Sequence, residues 1–302
     1  MRSSRAPLRR QLAMLSVAAA TTVGASVGTA ACSSGKSPVL PFTPTTPVPQ
    51  PPGTAIVGRP LRRRRGRLYF ARSRTNGLWV TDAATLALPR DVRTLLADHW
   101  RQAGEMEHAS VIAFGDLSRR LRRVRAAHSL VERAERAAAQ EQEHARRCFE
   151  LASRYAGRQI VAGRLHLPLR RPRVRANEIN TLAVEALRDG VVNEGYAAWL
   201  AGAQLDRARD TEVRNTLTVI AADEAEHAEL SRDVLEWCLL NGGAATQAAV
   251  DAAFAQLPQR MTGPTVPAAV PQPAQVVLAA HGLVDVDPDG DGYRHVLASL
   301  VA

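Results

Sequence analysis

Acidic residues are missing from the first 75 positions, lysine occurs once, aromatic residues make up 4% of the chain, and none of the three cysteines belongs to a Cys-x-x-Cys pair. Each absence excludes something. Scarce aromatics beside abundant alanine, leucine and arginine argue against a β-sandwich and for helices packed through small and aliphatic side chains, so the expected class is all-α. With Lys36 as the sole lysine, the arginine runs read as a codon preference and are weak evidence for phosphate recognition. The net charge of +10 belongs to the leading segment: residues 1–75 carry thirteen of the 39 Lys and Arg, leaving 26 basic against 29 acidic side chains in the remainder. No nucleic-acid partner is expected. Cys32, Cys148 and Cys238 cannot form a Cys-x-x-Cys electron-transfer module.

What is present divides the chain into five stretches. Arg2, Arg5, Arg9 and Arg10 precede an apolar run from Leu12 to Ala31 that ends in small residues, the layout of an export signal over 1–32. Thr29-Ala30-Ala31-Cys32 resembles the lipobox of bacterial lipoproteins, which implies lipidation of Cys32 and a protein anchored to the membrane at the cell envelope, outside the cytoplasm. An uncleaved apolar anchor would place the rest of the chain in the same compartment. Residues 33–53, rich in Pro, Thr and Ser, read as a tether. Residues 54–88 hold short β-like runs, Leu68-Tyr69-Phe70 and Leu78-Trp79-Val80, and predict a small hairpin-like appendage. The main domain is 89–240, and 241–302 is a tail with short helices.

Within the main domain, apolar residues recur at helical spacing in four segments, about 89–123, 126–155, 177–205 and 211–240, the last closed by Asn241-Gly242-Gly243. The first and last links are short, whereas the middle one has about twenty residues, with Pro168 and Pro172. That is long enough to return along a four-helix bundle as one long crossover.

All fifteen glutamates lie between 105 and 236, and Glu-x-Glu-His occurs three times, at Glu105–His108, Glu141–His144 and Glu224–His227. Successive helical residues turn by about 100°, so Glu at i shares a face with His at i+3 while Glu at i+2 points away. In the second helix the apolar stripe Val131, Ala134, Ala138, Ala145, Cys148 passes through Glu141 and His144, and Glu143 falls with Arg146 and Arg147. In the fourth, Val213, Leu217, Ile220, Ala228 and Leu235 share a stripe with Glu224 and His227. The first helix turns Glu107 inward with Trp100, Val111 and Phe114, and leaves Glu105 near Arg101. The third passes its stripe of Ile179, Ala183, Leu187, Val191, Ala198 and Ala201 through Glu194, with Glu185 second in rank.

Four buried carboxylates at one level of a bundle repel one another and lose hydration, at several kcal/mol each unless compensated. Two divalent cations would neutralise them. Carboxylates with one imidazole per metal suit iron first and manganese second, and dioxygen or peroxide would be the co-substrate. The expected ligands are Glu107, Glu141, His144, Glu194, Glu224 and His227.

Glu107-His108-Ala109-Ser110-Val111 and Ile220-Ala221-Ala222-Asp223-Glu224-Ala225-Glu226-His227 resemble segments of the ferritin-like superfamily, specifically bacterial ferritin-like domain proteins, over about 91–240. The resemblance implies a di-iron four-helix bundle in which the six matching positions are iron ligands. Its members include iron stores, peroxide reductases and hydroxylases, so it selects no single reaction. Phe114 stands where several relatives have a tyrosine, and without a Cys-x-x-Cys module a catalytic cycle would need an external reductant. The tether argues against a closed storage cage and leaves a monomer or homodimer. The alternative to an envelope di-iron oxidoreductase is a non-catalytic metal-binding or interaction protein on the same bundle.

Three further features carry less. Cys148 and Cys238 fall roughly 20 Å apart on antiparallel helices, too far for a disulfide. Asp287-Pro288-Asp289-Gly290-Asp291 imitates half of an EF-hand loop but has Ala298 at its last ligand position, so an acidic turn before a short helix is expected. Tyr155, Tyr196 and Trp199 read as packing residues.

Overall fold

Pro89, whose ring cannot donate into a preceding turn, precedes a long run without interior proline, and helix starts at the next residue. A computed structural model describes residues 59–62, 68–69, 71–164, 177–261, 263–285 and 289–301. The leader with Cys32, the tether 33–53, the arginines 63–65, the link containing Pro168 and Pro172, and Asp287-Pro288 lie outside the described residues.

The chain is predominantly helical. Two short strands, β1 (Leu61–Arg62) and β2 (Leu68–Tyr69), pair antiparallel. Then come β3 (Ser73–Leu78), α1 (Ala83–Leu86), α2 (Arg90–Arg123), α3 (His128–Ala156) and β4 (Arg158–Ala162). Next are α4 (Glu178–Glu185), a π-helical turn (Ala186–Val192), α5 (Asn193–Arg207), α6 (Thr211–Ala255), α7 (Gln272–Ala280) and α8 (Asp291–Val301). No described helix is long and apolar enough to cross a membrane.

Ion pairs and hydrogen bonds set the directions of the long helices. Arg133 with Asp233, Gln140 with Asp223, and Arg154 with Asp210 run in opposite order along α3 and α6, so these two are antiparallel. Arg120 pairs with both Glu178 and Glu185, while Trp100 and Gln204 donate to the neighbouring carbonyls of His281 and Gly282, so α2 likewise opposes the run from α4 to α5. Two apolar clusters fill the interior. One holds Phe114, Leu121, Leu187 and Leu235; the other holds Leu96, Trp100, Tyr155 and Leu217. Fully burying each such leucine or phenylalanine contributes roughly 1.5–3 kcal/mol.

Two expectations change. The appendage is more than a hairpin: besides the β1–β2 pair, β3 pairs with β4, Ser73 opposite Ala162, so the segment before the helices is stitched to the segment after α3. Gly157 makes this possible by ending α3 in a left-handed conformation, φ 65°. The third helix is not uniformly α; its π turn adds a residue per turn and rotates the face beyond it, so Ala197 is buried where the sequence stripe had Ala198. The fourth helix ends where its sequence places the end, at Asn241-Gly242-Gly243. Gly243, φ 67° and ψ −162°, leaves helical geometry there, and a second helical stretch runs from it to Ala255; Thr246 and Ile179 pack where a side chain on Gly242 would stand. Cys148 and Cys238 are both buried free thiols.

Candidate metal centre

Each long helix brings its inward acid to one depth. Glu107 comes from the middle of α2, Glu141 and His144 from α3, Glu194 from the first turn of α5, and Glu224 and His227 from α6. None is more than 1% exposed. Their donor atoms form two overlapping groups, Glu107, Glu141, His144, Glu224 and Glu141, Glu194, Glu224, His227, with all donor atoms of a group within 4.8 Å of one another. Glu141 and Glu224 belong to both groups. His144 Nδ1 stands 3.7 Å from Glu141 and 3.6 Å from Glu224; His227 Nδ1 stands 3.4 Å and 3.7 Å from the same two carboxylates.

The other acids of the sequence motifs are engaged elsewhere. Glu105 accepts from Ser73 N and Oγ and pairs with Arg101. Glu143 pairs with Arg146 and Arg147, and Glu185 with Arg120. His108 meets the Gly163 carbonyl at 3.2 Å. Tyr155 meets His281 Nδ1 at 2.8 Å, and Tyr196 stacks on Trp199 with centroids 5.9 Å apart.

Unmet hydrogen-bonding capacity is concentrated in this interior. Nine of the ten buried side-chain atoms without a partner among the described residues belong to the six inward groups, including both oxygens of Glu141, Glu194 and Glu224 and Nδ1 of both histidines. Native interiors rarely leave such atoms unsatisfied without a ligand or a functional reason. Burial, then repulsion from Glu141 and Glu224, holds the Glu107 carboxyl well above the usual range, and burial with repulsion from Glu224 does the same to Glu194. Burial also pushes Glu141 up, but attraction to His144 and His227 outweighs it and brings that group down to about 2. The histidines respond in kind: desolvation is overcome by Asp223 and Glu141 at His144, raised to about 11, and by Glu141 and Glu224 at His227, raised to about 9. The metal-free cluster therefore holds protons where cations would relieve the same repulsion.

Two partners escaped sequence reasoning. His144 Nε2 lies 2.9 Å from Asp223 Oδ2, and His227 Nε2 lies 3.1 Å from Gln140 Oε1; Gln140 Nε2 in turn donates to Asp223 Oδ1 at 2.8 Å. A neutral imidazole donating through Nε2 presents the Nδ1 lone pair to the carboxylates, the orientation a ligand needs. The signal was available, since each partner immediately precedes an inward glutamate on a neighbouring antiparallel helix. Arg59 was also missed; it is buried beside the cluster and comes from outside the helices. Nothing in the sequence distinguishes it from the other arginines of the leading segment.

The chain matches no protein-family model, no curated protein and no solved structure. The chemistry of the interior has to be read from its own geometry: a buried set of carboxylates and imidazoles that could hold metal.

Proposed function

We propose that the cluster holds two divalent metal ions, iron first and manganese second, within a four-helix bundle of the ferritin-like kind, and that the protein is a di-metal oxidoreductase of the cell envelope. One observation carries the reading: two four-residue donor sets share Glu141 and Glu224, each set adding one terminal carboxylate and one imidazole. Oxygen and imidazole donors of this composition suit Fe(II) and Mn(II), and four carboxylates match the charge of two such ions. The opposed directions of the helices support the long-crossover connectivity: Arg122 meets Glu135 and Gly104 lies against Phe149, so α3 runs against α2, as α5 does.

The bound ions would supply electron transfer to dioxygen or peroxide. The chain's own groups set the conditions. Glu141 and Glu224 would serve both donor sets, Glu107 and His144 would complete one and Glu194 and His227 the other, and Asp223 and Gln140 hold the imidazole rings against rotation. Phe114, its ring centroid 4.8 Å from that of His227, shields the site from water and offers no phenol for proton or electron relay. The electrons for a repeated cycle would come from an external reductant. Anchorage through Cys32 rests on the leader's composition and belongs to the same proposal, as does a monomeric or dimeric state.

Elemental analysis after loading should find two metal ions per chain, and Fe(II)-loaded protein should consume dioxygen or peroxide faster than free Fe(II). Two bound ions with consumption no faster than free Fe(II) would leave a non-catalytic metal-binding protein. Less than stoichiometric metal would remove the centre itself.

A further inference from the structure

Three of the five large apolar side chains that stand exposed among the described residues fall between positions 78 and 86: Leu78 at 93%, Val80 at 96% and Leu86 at 55%. Leu78 ends β3, and the chain passes through a half-buried Trp79 to Val80 before entering α1. The β3–β4 pairing fixes this tip on one side. On the other, Thr81 Oγ1 donates to the Arg154 carbonyl at 3.0 Å, and Arg154 also pairs with Asp82, the cap of α1. A fixed backbone thus presents two aliphatic side chains to water, which is unfavourable unless another surface covers them.

The surroundings are basic. Arg158 is the register partner of Leu78, so the two side chains share a face of the sheet. Arg72, Arg74 and Arg164, on or beside the same strands, are exposed as well, and among the described residues none of these four arginines is in an ion pair. Neither strand contains an acid, and the bordering acids Glu105 and Asp82 are paired with Arg101 and Arg154.

A second copy of this surface would set arginine against arginine. An anionic lipid surface suits both parts of it, because aliphatic and indole side chains enter the boundary of the acyl chains while guanidinium groups meet lipid phosphates. Residues 33–58 separate Cys32 from the first described residue and reach at most roughly 90 Å when fully extended, so a chain anchored at Cys32 keeps the tip near its own membrane, where a weak contact suffices. We propose that the Leu78–Val80 tip inserts into the head-group boundary of an anionic membrane, with Arg74 and Arg158 on lipid phosphates, and so docks the domain on that membrane in one orientation. The inference rests on the envelope reading above and is independent of the metal centre.

The test uses the full-length Cys32→Ser chain carrying a nitrobenzoxadiazole label at Val80→Cys or, toward the far end of α6 from Asp210, at Ala245→Cys; Cys148 and Cys238 are buried and stay unlabelled. On saturating vesicles of equal parts phosphatidylglycerol and phosphatidylcholine, the label at 80 should shift to the blue and be quenched by lipid-borne nitroxide, and the label at 245 should stay aqueous. Leu78→Ser in the labelled chain should lower the ratio of inserted to aqueous label by about tenfold or more, and Arg74→Gln combined with Arg158→Gln should do the same. All three positions are exposed, so folding is not at stake. A label at 80 that stays aqueous overturns the inference, as does equal insertion into phosphatidylcholine alone or equal quenching at 80 and 245. A blue shift without vesicles overturns it too, since a second copy of the chain would then cover the tip. Mass spectrometry of the wild-type amino terminus reads the anchor separately: unlipidated Cys32 with an inserted tip removes the lipid anchor alone, and lipidated Cys32 with an aqueous tip removes this inference alone.

Discussion

Glu194→Gln should raise the stability of the metal-free chain and reduce the further stabilisation that metal provides. Both oxygens of Glu194 are buried without partners, and burial with repulsion from Glu224 raises its pKa well above 4.5. In the unfolded chain at neutral pH this group is ionised. On folding it must take up a proton or stay charged among other acids, so its contribution destabilises increasingly as pH rises above 4.5. Glutamine keeps the shape and removes the charge, which should return about 1–3 kcal/mol and raise the melting midpoint by several degrees. With metal present the balance differs. Losing one carboxylate donor should weaken binding by at least about ten- to a hundredfold, lowering the metal-induced stabilisation by roughly 1.4–2.7 kcal/mol. Differential scanning calorimetry of wild type and variant, with chelator and with saturating Mn(II), reads both quantities. A metal-free midpoint that drops in the variant, or a metal-induced rise of equal size in both proteins, would refute the reasoning.

Other expectations follow from the same interior. His144 and His227 titrate at about 11 and about 9 against 6.5 in the unfolded chain, so their stabilisation is complete below about 6.5 and is lost as pH rises; the metal-free midpoint should fall between pH 6.5 and 9, and a flat profile would contradict the arrangement. Asp223→Asn keeps the side-chain shape but weakens the acceptor for His144 Nε2, and should lower metal affinity by about ten- to a hundredfold in a chelator-competition assay; because Asp223 is the main partner raising His144, it should also lower metal-free stability at neutral pH. Gly190→Ala places a Cβ 2.2 Å from Ser231 Oγ, and should destabilise the chain by about 1–3 kcal/mol in denaturant titration. Cys148 and Cys238, both 0% exposed, should react with a thiol reagent only after unfolding; rapid labelling of either in the native protein would place that thiol at the surface.

Much of the site was legible because α-helical phase is a local property. Glu141 with His144, and Glu224 with His227, are three residues apart on long regular helices, so the apolar stripe alone decides which glutamate of each tetrapeptide faces in. The same rule separated Glu107 from Glu105 and turned Glu143 toward Arg146 and Arg147, where the structure has them. Phase reasoning drifted only in the third helix, whose π turn changes the angle per residue; the fourth helix breaks at the glycine pair, where Gly243 leaves helical geometry.

From the sequence alone came the all-helical class, the order of the long helices and the identity of the six inward side chains, because each depends on contacts within a few turns of one segment. Only the tertiary structure decided that those side chains meet as two donor sets sharing Glu141 and Glu224, that Asp223 and Gln140 steady the imidazoles across α3 and α6, that β3 pairs with β4, and that Arg59 enters the interior. Those relations join residues up to 172 positions apart. They depend on the rotation and depth at which whole helices pack, to which no single segment's periodicity has access.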